Sequence, residues 1–555
     1  MPQYDILIVG SGATGGMAAK VLAEHGLQVL LMEAGGSIDR SDFLTHMMPY
    51  EFPFRGLGSP KKIREDGYTA ARELTPFEGY YAARSQHPYT FPSGSPFDRS
   101  LRSCILGGRT LHWGRQCFRL AEYDFKGASI DGHGIDWPFG YQDLAPYYDK
   151  VEEYIGVQGT AEGWPELPDG KFLPPFAFNC FEHLMRRAAR KLDWKLTTLR
   201  TAQLSVPHRG RPACHYCGSC GTGCDIGAFF STPAVTLPDA LATGNLTLLT
   251  DAVVQHVLVD SEARVTGVGY FDRSTKVYRE AKTKVVVLAA STLESARIML
   301  NSVSRHYPNG LANSSGVLGH YLADHFTAGS IIGALPELKG KPIINEDGKA
   351  NRSYIPRFRN LRSRHPNFVR GYGIMVKGGS AIYPSQAALI SGFGADYKRR
   401  IKELHPAMVN VYARAEPLPS FDSYVKINKK VVDAWGIPVL HINYARTEND
   451  RHILRDAFQS MQELMHAAGA EILSAEESLS TPGAVSHELG TARMGNDPKT
   501  SVLNKYNQAH DIKNLFVVDG ACWPSYGCQG PTLTMLALAW RASDYLAEQL
   551  RLGTI

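Results

Sequence analysis

No stretch of the sequence holds the run of about 20 apolar residues that a membrane-spanning helix requires, so a helical span is excluded. Charge of one sign is equally scarce. Lys and Arg total 59 against 54 Asp and Glu, a net +5 that provides no field for nucleic acid or an anionic membrane as the main partner. Internal repeats, heptads and low-complexity tracts are absent, so neither solenoid nor coiled coil is expected. The opening Met1-Pro2-Gln3-Tyr4-Asp5 has no basic n-region, apolar h-region or small-residue cleavage site. A signal peptide of its own is therefore not expected, and the cytoplasm is the expected compartment. Co-export with a signal-bearing partner gives a periplasmic alternative. Nine cysteines are too few to staple 555 residues.

What is present reads as globular: 44% hydrophobic and 20% charged residues, in a chain long enough for two domains. Asp5 to Val9 is apolar after its first residue, as a buried parallel strand is. A glycine turn, a helix from about 15 to 26 and an apolar strand from Gln28 to Met32 complete a βαβ unit. The stretch 37–103, rich in Pro, Gly and Tyr, reads as irregular excursions. Mixed strands follow from about 246, ending in the buried strand 284–290 and a helix from about Thr292. Residues 327–478 alternate apolar and polar in short runs, with one helix near 450–468, as a sheet-based second domain does. The last seventy or so residues return to strand (Leu515 to Val518), glycine turn and helix. The expected class is α/β, with discontinuous domains.

Gly10-Ser11-Gly12-Ala13-Thr14-Gly15 is a G-x-G-x-x-G run lying directly between strand and helix. Gly10 permits the tight turn, Gly12 lets backbone approach a pyrophosphate, and Gly15 lets helix pack on strand. The helix N-terminus supplies a favourable dipole for the anion. Glu33 closes the second strand, 23 positions after Gly10, where its carboxylate accepts from a ribose 2′-hydroxyl and disfavours a 2′-phosphate. A dinucleotide cofactor is expected.

Five blocks in order resemble the glucose–methanol–choline (GMC) oxidoreductase family. They are the glycine turn, Gly107 to Gly114, Trp137-Pro138 with Asp143 to Tyr148, Gly319 to His325, and Asn514 to Gly520 with Pro531 to Thr534. The resemblance spans essentially the whole chain. It implies FAD as the cofactor, held by a Rossmann-like domain (1–326, with a cysteine insert near 210–230). A substrate domain (327–479) and a return to the FAD domain (480–555) follow. By the same resemblance Gly107, Gly108, His112, Val254, Asp519, Gly520 and Thr532 contact the flavin nucleotide, Val254 through its backbone at the adenine. His112 matches a position that carries a covalent flavin link in some members; a hydrogen-bonding histidine is the alternative.

Ser486 to Gly495 resembles the family's active-site histidine segment. Oxidising an alcohol removes a proton from oxygen and a hydride from carbon, and a neutral imidazole suits the first task near pH 7. His487 is the expected base. Most members place Asn or His before the closing Pro-Thr; here the residue is Gly530, without a side chain, and Gln529 is the neighbour expected to reach in.

Cys214, Cys217, Cys220 and Cys224 follow C-x-x-C-x-x-C-x-x-x-C, the spacing of the bacterial ferredoxin run, with Asp225 where proline usually follows. Structural zinc and disulfides are the competing readings. The run resembles the insert of bacterial FAD-dependent sugar dehydrogenases of the glucoside 3-dehydrogenase and glucose dehydrogenase type, which implies an iron–sulfur cluster, [4Fe–4S] or [3Fe–4S]. The expected activity is oxidation of a sugar or glycoside hydroxyl to a carbonyl. Electrons then leave through the cluster to a cytochrome-type acceptor, with a small partner subunit. An oxygen-using oxidase with a zinc site, and a degenerate flavin-binding assembly subunit, are the alternatives.

Overall fold

The computed structural model describes residues 4–43, 46, 51, 82–98, 101–218, 220–342, 352–378, 387 and 389–555. Strand β1 (Tyr4–Val9) is flanked by β2 (Val29–Met32) on one side and by Tyr278–Leu288 on the other, all parallel. Leu246–Leu249 extends the sheet beyond β2, and the late strand Leu515–Val517 pairs with the far side of 286–288. Apolar runs suit these positions because both faces are covered: Ile6, Leu7, Ile8 and all of β2 are buried. Helix α1 (Ala13–Glu24) and the final helix Thr532–Arg551 pack against each other over the sheet.

The strand expected at 284–290 starts earlier, at Tyr278. Its exposed first half pairs antiparallel with Val265–Asp272, which pairs in turn with Ala252–Val259. Most of the expected irregular excursion at 37–103 lies outside the described residues.

The second sheet is antiparallel throughout, in the order Glu471–Leu479, Phe326–Ala334, Met408–Ala415, Tyr372–Gly378, Arg352–Ile355, Thr197–Thr198. Helix Glu448–Ala467 covers one face with Ile453, Ala457, Met461, Leu464 and Met465, a helical-period stripe. It starts at a capping box, Thr447 Oγ1 accepting from Asp450 N and Asp450 from Thr447 N. Helix Cys180–Lys191 adds Phe181, Met185 and Ala189 to the same core.

Period-two alternation decides what the other face carries. In Met408–Ala415, Val411, Ala413 and Ala415 enter the helix-side core, so Tyr412 and Arg414 point the opposite way. Tyr412 packs with Phe118 and Tyr354, and Arg414 reaches Gln116. This face meets the loops of the first sheet, and the site lies there. Among the described residues no helix is long and apolar enough to cross a membrane.

Candidate active site

The glycine turn is built for close approach. Gly10 has φ +99°, and a Cβ there would lie 2.5 Å from Ala289 O; one on Gly15 would lie 1.8 Å from Gly10 O. Neither position tolerates a side chain. Gly12 differs: a Cβ there meets nothing within 4 Å, so open space faces the N-terminus of α1, which has no side-chain cap. Uncapped N–H groups beside an open cradle fit a pyrophosphate.

Glu33 Oε2 accepts from Ser11 N (3.1 Å) and Ser11 Oγ (2.6 Å), while Oε1 accepts from Gly35 N (2.9 Å). Oε1 keeps a lone pair for a ribose hydroxyl. Burial pushes the carboxyl above its usual range. Ala252 N donates to Glu33 O, which brings the half-buried Val254 near the acidic end of the cradle. Gly107 N donates to Ser11 Oγ (2.8 Å), and a Cβ on Gly108 would stand 3.7 Å from Gly12 Cα. The two glycine loops therefore form one wall. His112, half-buried after the short turn Gly108–Leu111, has Nε2 at 2.7 Å from Ser103 Oγ.

The closing segment joins from the opposite end of the chain. Asp519 Oδ1 accepts Ala521 N, its Oδ2 accepts Ser295 Oγ, and burial pushes its carboxyl up to about 6. A Cβ on Gly520 would lie 2.5 Å from Thr292 Oγ1, so glycine is required where these segments cross. Thr532 is the half-buried first residue of the final helix, whose start also lacks a side-chain cap.

His487 is half-buried. Its N donates to Asp324 Oδ1 (2.7 Å), and its Nδ1 lies 3.2 Å from Nδ1 of the fully buried His325. His325 Nε2 faces the Gly527 carbonyl, which only accepts, so that nitrogen carries a proton. Burial lowers the His325 pKa to about 4, hence its Nδ1 is an acceptor at neutral pH. His487 Nδ1 must then donate, and its lone pair sits on Nε2. Burial first, then the charges of Arg414 and Arg109, hold His487 well below its ordinary range. It is a neutral base with its tautomer set from behind.

Asp324 braces the same segment. Burial and the Glu488 charge push its carboxyl up to about 7. Arg109 pairs with Glu488 (2.8 Å) and donates to Ser486 O (2.5 Å), tying the histidine segment to the Gly107 loop. Asp324 and His325 as supports of His487 escaped sequence reasoning; their adjacency within the Gly319 to His325 block was the available signal.

The expectation for Gln529 is corrected. Its Nε2 donates to Asp124 Oδ2 (3.3 Å), in a buried pocket where burial and Glu416 push Asp124 up to about 7. Successive residues project differently: Gly530, next in line, is the one facing Gln116 and Arg414.

Family models described as GMC oxidoreductase match residues 4–327 and 419–539. The chain belongs to the GMC oxidoreductase family. It is an FAD-dependent enzyme acting on CH–OH donors, and its two large sheets are those of the Rossmann-like FAD domain and the second sheet domain of that fold. Fructose dehydrogenase large subunit of Gluconobacter japonicus is 28% identical over 99% of this chain and 98% of its own. 2-Methyl-1,2-propanediol dehydrogenase of Mycolicibacterium austroafricanum is also 28% identical, over 99% and 96%. Among solved structures, pyridoxine 4-oxidase from Mesorbium loti superposes with TM-score 0.64 at 16% identity, over 98% of this chain and 99% of that one.

The four expected cluster cysteines form no disulfide among the described residues. Cys214 Sγ accepts from Gln203 Nε2 (2.9 Å) and Tyr216 N, Cys224 Sγ from Ala228 N, and Cys217 is exposed. Burial raises the Cys214 and Cys224 thiols, and Cys220 raises both further. No three of these sulfurs lie within 4.8 Å of one another among the described residues. Tetrahedral zinc with ~2.3 Å bonds to sulfur holds thiolates roughly 3.8 Å apart, so among the described residues these four sulfurs do not form a preformed zinc site. The ligand set of a cluster is not assembled either.

Proposed function

We propose that the enzyme oxidises a hydroxyl of a sugar or glycoside to a carbonyl. The observation that carries this reading is the His325–His487 pair, which leaves a neutral Nε2 lone pair as the proton acceptor. The hydroxyl proton goes to His487 Nε2 while the carbinol C–H bond breaks. Bound FAD supplies the acceptor for that hydride. Asp324 and Arg109 hold the histidine segment in place, and buried surroundings keep the imidazole neutral for the next proton. The names of full-length relatives, a fructose dehydrogenase and a propanediol dehydrogenase, support hydroxylated substrates.

Cys214, Cys217, Cys220 and Cys224 would hold an iron–sulfur cluster once their thiolates converged, and the cluster would supply single-electron transfer to a cytochrome-type acceptor. The support is the ferredoxin-like spacing and a flavin enzyme's need to pass electrons singly. A partner subunit is supported by the "large subunit" in the name of the fructose dehydrogenase relative.

The test is anaerobic purification followed by iron, acid-labile sulfide and zinc analysis, with flavin bleaching recorded on a panel of polyols and glycosides. Iron and sulfide at cluster stoichiometry, with bleaching by at least one sugar, is the expected result. Zinc without sulfide and hydrogen peroxide release in air would replace the dehydrogenase with an oxidase. No bleaching by any substrate would leave a flavin-binding assembly subunit.

A further inference from the structure

A base alone does not complete the oxidation. As the hydroxyl proton moves to His487, negative charge gathers on the substrate oxygen, and something must meet it. Gly530 offers only backbone, but the space beside it is furnished by other residues. A Cβ on Gly530 would stand 3.6 Å from Gln116 Cβ and Oε1 and 3.9 Å from Arg414 Nη1. Arg414 Nη1 donates to Gln116 Oε1 at 2.7 Å, and Gln116 is itself buried.

The pairing of Arg414 distinguishes it from its neighbours. Arg357 and Arg370 both lie against Glu416, which stands two residues beyond Arg414. Arg414 forms no ion pair with any described carboxylate; it donates instead to the neutral amide of Gln116. Its charge nevertheless acts on both active-site rings, lowering His487 and His325. A half-buried guanidinium held by an amide, beside a neutral base and an open backbone, is arranged to receive an anion that appears only during reaction.

We infer that Arg414, oriented by Gln116 across the gap at Gly530, is a second catalytic residue that stabilises the substrate alkoxide. This rests on the reading of the site as an alcohol-oxidising centre. The step balances: the O–H proton passes to His487 Nε2, the C–H electron pair leaves with its hydrogen to the bound flavin, and the C=O forms. Arg414 donates hydrogen bonds throughout and keeps its own protons, because a guanidinium does not deprotonate in this range. Gln116 is a positioning residue.

The experiment uses the flavin-loaded enzyme and three variants: Arg414→Ala, Arg414→Lys, and Arg414→Ala combined with Gly530→Asn. Wild-type flavin content and circular dichroism establish that each is folded. Anaerobic flavin reduction by a bleaching substrate is expected to slow about 100- to 1,000-fold in Arg414→Ala, with little change in KM. Arg414→Lys keeps the charge without the fork and falls between. Gly530→Asn in the Arg414→Ala background restores a donor from the backbone side and recovers part of the rate. The acid limb of kcat/KM moves to higher pH in Arg414→Ala, as removal of a neighbouring positive charge demands.

A second readout needs no substrate. Acetate, followed by calorimetry, is expected to bind at least tenfold more weakly to Arg414→Ala than to wild type. Wild-type rates in Arg414→Ala, or a raised KM with kcat intact, would overturn the inference; the second result would make Arg414 a binding anchor. If no polyol or glycoside bleaches the wild-type flavin, the functional reading fails instead. The acetate comparison then decides whether Arg414 is an anion-stabilising group, and equal affinities would overturn that as well.

Discussion

Replacing His325 by phenylalanine keeps a ring of similar shape and removes both nitrogens. Two groups lose their partners: the buried Gly527 carbonyl loses its donor, and His487 Nδ1 loses its acceptor. Each stranded buried polar group costs about 1–3 kcal/mol, so about 2–6 kcal/mol of stability is expected to go at neutral pH. The cost to activity is larger. Without an acceptor behind Nδ1, the proton of the neutral His487 ring is free to sit on Nε2, where it blocks the lone pair. A wrong tautomer of an otherwise intact base costs up to about 10⁴ in kcat, the figure known for the serine-protease triad. The expected loss here is about 10²–10⁴ in the rate of anaerobic flavin reduction, measured by stopped flow. His325→Gln retains one donor and one acceptor, so it is expected to recover most of the stability and part of the rate.

The pH dependence of the same pair of proteins gives an independent check. The His325 pKa falls from 6.5 when unfolded to about 4 when folded. Below pH 6.5 the unfolded chain takes the proton first, so the contribution of this histidine to stability is full above 6.5 and is lost as pH falls towards 4. That drop is worth about 3 kcal/mol. Phenylalanine does not titrate, so the stability gap between wild type and His325→Phe should narrow by about that much between neutral pH and pH 4. Urea denaturation at several pH values measures it. A variant that bleaches at the wild-type rate, or a gap that does not change with pH, refutes the tautomer argument.

Gly15→Ala and Gly12→Ala should separate folding from cofactor binding. The first places a methyl 1.8 Å from Gly10 O and should lower the melting temperature of the apoprotein, whereas the second meets nothing within 4 Å and should weaken only FAD affinity, read by flavin fluorescence. Gly10→Ala adds backbone strain of about 1–3 kcal/mol at φ +99° and should give a destabilised protein without bound flavin. His487→Asn should retain FAD and fold while losing about 10²–10⁴ in kcat/KM. Because burial and Arg414 hold His487 below its ordinary pKa, the wild-type kcat/KM profile should stay flat through neutrality and fall only well below pH 6.5.

Local chemistry made the first half of this protein legible without coordinates. The run Ile6 to Val9 is buried on both faces and therefore carries no polar alternation, and Gly10, Gly12 and Gly15 each answer a steric demand of a strand–turn–helix. Those demands act over a few residues, so they are written in a few residues. His487 as base was legible for a similar reason, since proton removal near pH 7 narrows the choice of side chain. What holds His487 was not. Asp324 and His325 lie more than 160 positions away and meet it only because the backbones of Ala323 and Leu489 pair antiparallel. The same limit explains the error at Gln529: adjacency in sequence placed it beside the gap, but the backbone turned its amide to Asp124. Arg414 belongs to a third class. Its strand shows an ordinary period-two pattern, and nothing local marks one polar residue as catalytic. Its place depends on the second sheet presenting that face to Gln116 and Gly530, a relation between distant segments that only tertiary packing sets.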